Sequence, residues 1–149
     1  LVVETDEVRF KRILVPLDGS PLSREILFLM ATFAVDSAAE VVLMHVDQPG
    51  QGTHPVAEVA ERQAQQRAEK ILDELRCELE ESGVPKTIVV GRYGDPADMI
   101  LEEIEALKPD LVAMSSHGRT GVSRFRFGSV AEKVLRLCSC PLLVKPSKK

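Results

Sequence analysis

The stretch "SSHGRTGVSRFRFGSV", residues 115–130, sets Gly118, Gly121 and Gly128 among Arg119, Arg124 and Arg126, directly before a helical pattern that starts near Ser129. Glycines without a Cβ let main chain approach a ligand closely. The first N–H groups of a helix lack intrahelical partners and carry partial positive charge, so a Gly-Ser pair at a helix start suits phosphate, and the Ser129 hydroxyl can add a hydrogen bond. Lys133 and Arg136 follow, and Glu132 is the sole acid between Ser116 and Arg136. A locally cationic segment in a chain of net charge -4 points to a small anionic ligand. A second candidate, Asp18 in "PLDGS", repels phosphate; its roles are a base or ribose contact, or a metal bridge.

These residues need a scaffold, and the apolar pattern supplies one. "RILVPL" (12–17) is a short strand pattern closed by "DGSP", where Ser20 can cap a helix and Pro21 suits its first position. Leu22, Ile26, Leu29, Met30 and Phe33 recur at helical spacing, and "EVVLMHV" (40–46) is a second strand. After the loop 47–55, residues 56–82 are helical, with Val59, Ala60, Ala64, Ala68, Ile71, Leu72, Leu75 and Leu79 on one face and Gly83 as the stop. "KTIVVG" is a third strand, "GDPADMILEEIEAL" a helix capped by Asp95 with Pro96 just inside, and "PDLVAMSS" a fourth strand. Ser129 is expected to cap a last helix carrying Val130, Val134 and Leu137, before the final strand in "CPLLVKP". Five aliphatic strands alternating with helices describe an α/β protein, a parallel sheet with helices on both faces. In such sheets ligands gather beyond the carboxyl ends of the strands where strand order reverses. If strands one and four are neighbours, the Asp18 and Ser115–Gly118 loops border one crevice.

At 149 residues the chain is expected to form one domain. Aromatics are only 4% of residues, so the core must be built from Val, Ile, Leu, Ala and Met. Net negative charge argues against nucleic-acid and anionic-membrane partners. No apolar run approaches the ~20 residues of a membrane-spanning helix, and "LVVETDEVRF" is unlike a signal peptide, so a cytoplasmic protein is expected. Cys77, Cys138 and Cys140 read as structural or incidental, the C-x-C pair being a poor zinc site without a second pair. His45, inside an apolar strand, is expected to be a satisfied core residue; His117 is open between lining the pocket and facing solvent, as are Arg124 and Arg126. The motifs G-x-x-x-x-G-K-[ST], G-x-G-x-x-G after the first strand, G-x-S-x-G and H-E-x-x-H are all missing, which disfavours the corresponding enzyme classes.

Together "ILVPLDGS", "VVLMHV", "GDPADMIL", "DLVAMSSHGRTG" and "FGSVAEKVLRLCSCPLLVKP" resemble the universal stress protein family, from about Arg12 to Pro146. The nucleotide-binding branch of that family carries G-x2-G-x9-G-[ST]; here the positions are Ser115, Gly118, Gly128 and Ser129, with serine in place of the first glycine. The resemblance implies strand order 3-2-1-4-5 and a bound adenine nucleotide, ATP with Mg²⁺. It implies that Pro16, Asp18 and Val46 frame the adenosine, that Ser115 lies near the ribose, and that Gly118, Arg119, Gly128, Ser129 and Val130 hold phosphates, with Asp18 as the possible metal contact. It further implies a homodimer through the C-terminal strand; with the catalytic motifs missing and no evident group to activate water, at most slow ATP hydrolysis is expected. The alternative that Ser115 favours is a nucleotide-free interaction module like the family's other branch.

Overall fold

The computed structural model describes residues 9–50, 56–116 and 127–146. Its elements run β1 (Arg12–Pro16), α1 (Pro21–Ser37), β2 (Glu40–Asp47), α2 (Ala57–Glu81), β3 (Lys86–Tyr93), α3 (Pro96–Leu107), β4 (Leu111–Ser115), α4 (Ser129–Leu137) and β5 (Leu142–Lys145). All pairings are parallel, in the order β3-β2-β1-β4-β5. The chain steps outward from β1 through β2 to β3, then crosses back to lay β4 on the other side of β1. Because each crossover is right-handed, that reversal sends α1 and α2 to one face of the sheet and α3 and α4 to the other.

Alternation along the strands builds a core on each face. Ile13, Val15, Val41, Leu43, Leu111 and Ala113 pack under α1 and α2, with Ile26, Leu27, Met30, Leu72, Leu75 and Leu79. Leu14, Val42, Met44, Val112 and Met114 face α3 and α4, with Ile100, Ile104, Ala131 and Val134. The central strands are thus apolar on both sides, which is why they read as unbroken aliphatic runs.

Helix starts follow local chemistry. Ser20 caps α1, its Oγ accepting from the Ser23 N–H at 3.2 Å, with Pro21 in the first turn. Asp95 caps α3 in the same way, accepting from the Asp98 N–H at 3.1 Å. At α4 the expectation needs correction: the cap is Gly128, and Ser129 is already the first helical residue. The apolar face of α1 is also rotated from that expected: Leu29 and Phe33 are exposed, whereas Leu27, Ala31 and Ala34 turn inward. On α2 the expected face is buried at Ala60, Ala64, Ala68, Leu72, Leu75 and Leu79, while Val59 and Ile71 at its flanks are exposed. Small alanines can sit closest to the sheet, so size at the contact, beyond hydrophobicity, sets which face is buried.

The edge strand β3 is closed by a side chain. The Gln65 amide donates to the Val89 carbonyl at 3.0 Å and accepts from the Gly91 N–H at 2.7 Å, standing in for a missing neighbouring strand. That seat requires a glycine, because a Cβ on residue 91 would lie 2.3 Å from the Ala64 carbonyl oxygen and 2.5 Å from the Gln65 Cα.

Two stability predictions follow from these contacts. Gly91→Ala forces α2 off the sheet and should lower unfolding stability in urea by about 1–3 kcal/mol, the usual cost of overpacking; an unchanged midpoint would contradict the close approach. Asp95→Ala should cost about 1 kcal/mol through loss of the α3 cap. The Asp98 N–H, and then the Lys133 ammonium acting against partial burial, hold the Asp95 carboxyl below its ordinary range. A depressed carboxylate adds stability that is complete above the unfolded value, about 3.9, and fades as pH falls through the folded value. Asp95→Asn keeps a cap but cannot titrate, so the stability of the natural chain relative to this variant should decline only in that acid window.

Candidate functional site

The crevice arises from how the two central strands end. β1 pairs with β4 at Ile13↔Leu111 and Leu14↔Val112. Beyond that, the Leu17 N–H donates to the Met44 carbonyl of β2 at 2.8 Å, while the Ser116 N–H donates to the Lys145 carbonyl of β5 at 2.8 Å. Each central strand follows its outer neighbour, and a gap opens between them at the carboxyl end of the sheet. This is the point where strand order reverses. The gap is a cleft of about 610 Å³.

Pro16, Asp18, Val46, Ser115, Gly128, Ser129 and Val130 all line that cleft. Gly118 and Arg119 lie outside the described residues, as do His117, Gly121, Arg124 and Arg126. One wall is the start of α4. The Gly128 N–H donates to the Ser116 carbonyl at 2.8 Å, returning the chain to the end of β4, and Gly128 is extended (φ -61, ψ 157) before the helix begins. The first intrahelical bond runs from the Glu132 N–H to the Gly128 carbonyl at 2.9 Å. A glycine has no side-chain oxygen, so the N–H groups of Ser129, Val130 and Ala131 have no intrahelical acceptor and, among the described residues, no side-chain cap. All three residues border the cleft. α1 and α3 begin with their own side-chain acceptors; α4 presents its donors outward.

The two cations on this helix, Lys133 and Arg136, are directed elsewhere. Lys133 pairs with Asp98 at 2.6 Å and Asp95 at 3.5 Å, tying the first turns of α4 to those of α3. The Asp98 hydrogen bond, against desolvation and with Asp95's charge adding, raises the Lys133 ammonium above its ordinary value. Arg136 pairs with Glu132 at 2.7 Å on the exposed side of α4. Positive potential in the cleft from the described residues therefore comes from the helix terminus itself.

The opposite wall is built by the ends of β1 and β2. Asp18 follows β1, and its Oδ1 accepts from the Ser20 N–H at 2.9 Å, which fixes the carboxylate in the turn leading to α1. His45 is buried, 8% exposed, as a core residue should be, but it also borders the cleft. Its Nδ1 sits 2.9 Å from the Leu17 carbonyl. A carbonyl can only accept, so Nδ1 carries a proton. The other ring nitrogen lies 3.6 Å from Asp47 Oδ1, and Asp47 is in turn ion-paired with Arg67 of α2. His45 thus locks the β1 turn to β2 from beneath the site.

Sequence reasoning missed Met44, Met114 and Ile100, which form the apolar floor, and Pro96 at the start of α3. Their only signal was apolarity, which reads as core. Ile100 and Met114 do belong to the core under α3 and α4, and the cleft reaches the edge of that core.

No helix among the described residues is long and apolar enough to cross a membrane. A model of the universal stress protein family matches residues 9–146. Universal stress protein MJ0531 of Methanocaldococcus jannaschii is 32% identical over 157 residues, covering 99% of this chain and 89% of its own length. The solved structure of MJ0577, a universal stress protein of the same organism, superposes with a TM-score of 0.79 at 28% identity, covering 95% of this chain and 99% of that one. A universal stress protein in complex with cAMP shares the fold, with a TM-score of 0.70 at 20% identity over 91% of this chain and 97% of that one. With nearly its whole length matched by the family model and by relatives that bear the family name, this chain belongs to the universal stress protein family.

Proposed function

We propose that the cleft binds an adenine nucleotide, in full form ATP with Mg²⁺, and that the protein is a nucleotide-dependent stress-response or signalling module with at most slow hydrolysis. The observation that carries this reading is the first turn of α4, which has no side-chain cap among the described residues and borders a cleft floored by apolar side chains. Main-chain donors at one end suit a polyanion, and an apolar slot at the other suits a purine. In this reading Pro16, Asp18 and Val46 frame the adenosine and Ser115 lies near the ribose. Gly118, Arg119, Gly128, Ser129 and Val130 hold the phosphates. The cAMP held by a solved neighbour of the same fold supports an adenylate as the ligand class.

The fit for magnesium is of a particular kind. Among the described residues no group of three His, Cys, Asp or Glu side chains is placed to hold a metal ion. Mg²⁺ commonly takes one or two carboxylates plus substrate phosphates, so it would arrive with the nucleotide and take Asp18 as its contact from the chain. Its part would be to neutralise phosphate charge.

A second reading, a nucleotide-free interaction module, draws on Ser115. This residue stands where the binding motif has glycine, is 9% exposed, and adds a Cβ and hydroxyl at the strand end. Thermal melts separate the two. Under the first reading, ATP at a hundredfold excess over Kd should stabilise the fold by about 2.7 kcal/mol; an unchanged melt favours the second.

Ser129→Pro tests the phosphate end directly. Proline suits the first helical position, and Gly128 already has the extended conformation that a following proline requires. The variant should therefore fold while losing one main-chain donor and a hydroxyl. A hydrogen bond to a charged group contributes about 1.5–3 kcal/mol, so ATP affinity by calorimetry should fall about ten- to a hundredfold. Normal affinity in the folded variant would sink the placement of the phosphates at α4.

The proposed homodimer uses β5, which lies at the sheet edge with Leu143 37% exposed. Leu143→Lys should shift sedimentation from dimer to monomer at equal concentration. A monomeric parent chain would remove the proposal.

A further inference from the structure

The connection from α4 to β5 carries a second chemistry that nucleotide binding does not use. Cys138 and Cys140 lie between Leu137, the last residue of α4, and Leu142, the first of β5. Their Sγ atoms are 3.5 Å apart, and the Cys138 thiol also donates to the Cys140 carbonyl at 3.2 Å. Both side chains are partly exposed. We propose that Cys138 and Cys140 form a redox-modification site, a dithiol that closes to an intramolecular disulfide on meeting a small-molecule disulfide and reopens with thiols.

The fold holds the two sulfurs together at both ends. The Cys138 N–H donates to the Val134 carbonyl at 2.8 Å, anchoring the first cysteine to the helix. The Pro141 carbonyl accepts from the Val112 N–H at 2.9 Å, anchoring the chain just past the second cysteine to β4. The residue between them turns to α3, the Ser139 hydroxyl donating to Glu105 at 3.1 Å. A disulfide bond is about 2 Å long, so side-chain rotation and a small main-chain adjustment must bring the sulfurs together. No strand ladder has to break, because the segment belongs to no regular element.

Chemical roles divide between the pair. Burial, with the neighbouring Cys138 adding, pushes the Cys140 thiol up to about 12. That desolvation disfavours the Cys140 thiolate and favours attack from Cys138. The Cys138 thiolate attacks one sulfur of the small disulfide, forming a mixed disulfide and expelling one thiolate. Cys140 then attacks the Cys138 sulfur, losing its proton as the second small thiol departs. The sum converts a protein dithiol and one small disulfide into a protein disulfide and two small thiols. A ring closed across a single intervening residue is strained, and strained disulfides are the readily reduced kind, so the bond should reopen as the thiol pool becomes reducing.

The test uses the full chain with exposed Cys77 changed to Ser, which removes the competing thiol on α2. It is equilibrated in buffers of varied oxidised-to-reduced glutathione ratio, quenched with iodoacetamide and weighed by mass spectrometry. The expected result is a species lighter by a pair of hydrogens that takes up no alkyl group. Its fraction should rise with the ratio and return to the doubly alkylated form on added reduced glutathione. Adding Cys140→Ser should halt the reaction at a glutathione adduct on Cys138. A dithiol alkylated at both cysteines at every ratio, or a persistent glutathione adduct with both cysteines present, would overturn the proposal. None of these outcomes depends on whether the cleft binds nucleotide.

Discussion

The reversal of strand order at β1 is the constraint from which the site follows. A parallel strand cannot be joined to its neighbour by a tight turn, so every connection must be a long crossover of one hand. Once β4 is laid on the far side of β1, the connections that follow these two strands leave toward opposite faces, and none of the described residues fills the space between the strand ends. The hydrogen bonds from Leu17 to Met44 and from Ser116 to Lys145 make the divergence concrete. The cleft is thus a product of topology before any residue in it is specified.

What topology leaves to the residues is the character of the two walls. Serine or aspartate at residue 128 would satisfy α4 from within, as Ser20 and Asp95 do for α1 and α3. Glycine supplies the donors no side-chain cap, at a cost in helix stability of only a few tenths of a kcal/mol relative to the better caps. α2 also starts without a side-chain cap, at Val56, but of these two helices only α4 sets its first turn against the cleft. Lys133 reinforces the same arrangement indirectly: its pairs with Asp95 and Asp98 fix the direction of α4, although its charge goes to α3. Orientation and recognition are therefore handled by different groups.

The order of elements, the strand positions and the caps of α1 and α3 were legible because each rests on local chemistry: aliphatic runs, a serine before proline, an aspartate before proline. The α4 cap was not, because Gly128 and Ser129 are both acceptable at that position by local preference; the Gly128 N–H bond to the Ser116 carbonyl, a tertiary contact, goes with the choice. The buried faces of α1 and α2 were blurred for a related reason. Phe33 and Ile71 are as apolar as Leu27 and Leu72, and periodicity cannot tell which neighbour points at the sheet. In the cleft, Asp18 and Ser129 stood out because polar residues beside turns are conspicuous, whereas Met44, Ile100 and Met114 were invisible among core residues. His45 was legible only in part, since being satisfied and bordering the site turn out to be compatible.

The two sheet edges bring the same logic to association. An exposed strand edge invites pairing with another chain unless its main-chain groups are occupied. At β3 the Gln65 amide occupies them, and Gly91 allows α2 to come close enough for its side chain to reach. β5 is shorter and its side chains are only partly buried, with Leu143 turned outward. Of the two edges, β3 is therefore closed from within its own chain, whereas no comparable side-chain closure is seen at β5 among the described residues. The thiol pair sits at the entrance to β5, so any chemistry there acts on that edge strand, at the opposite end of α4 from the cleft.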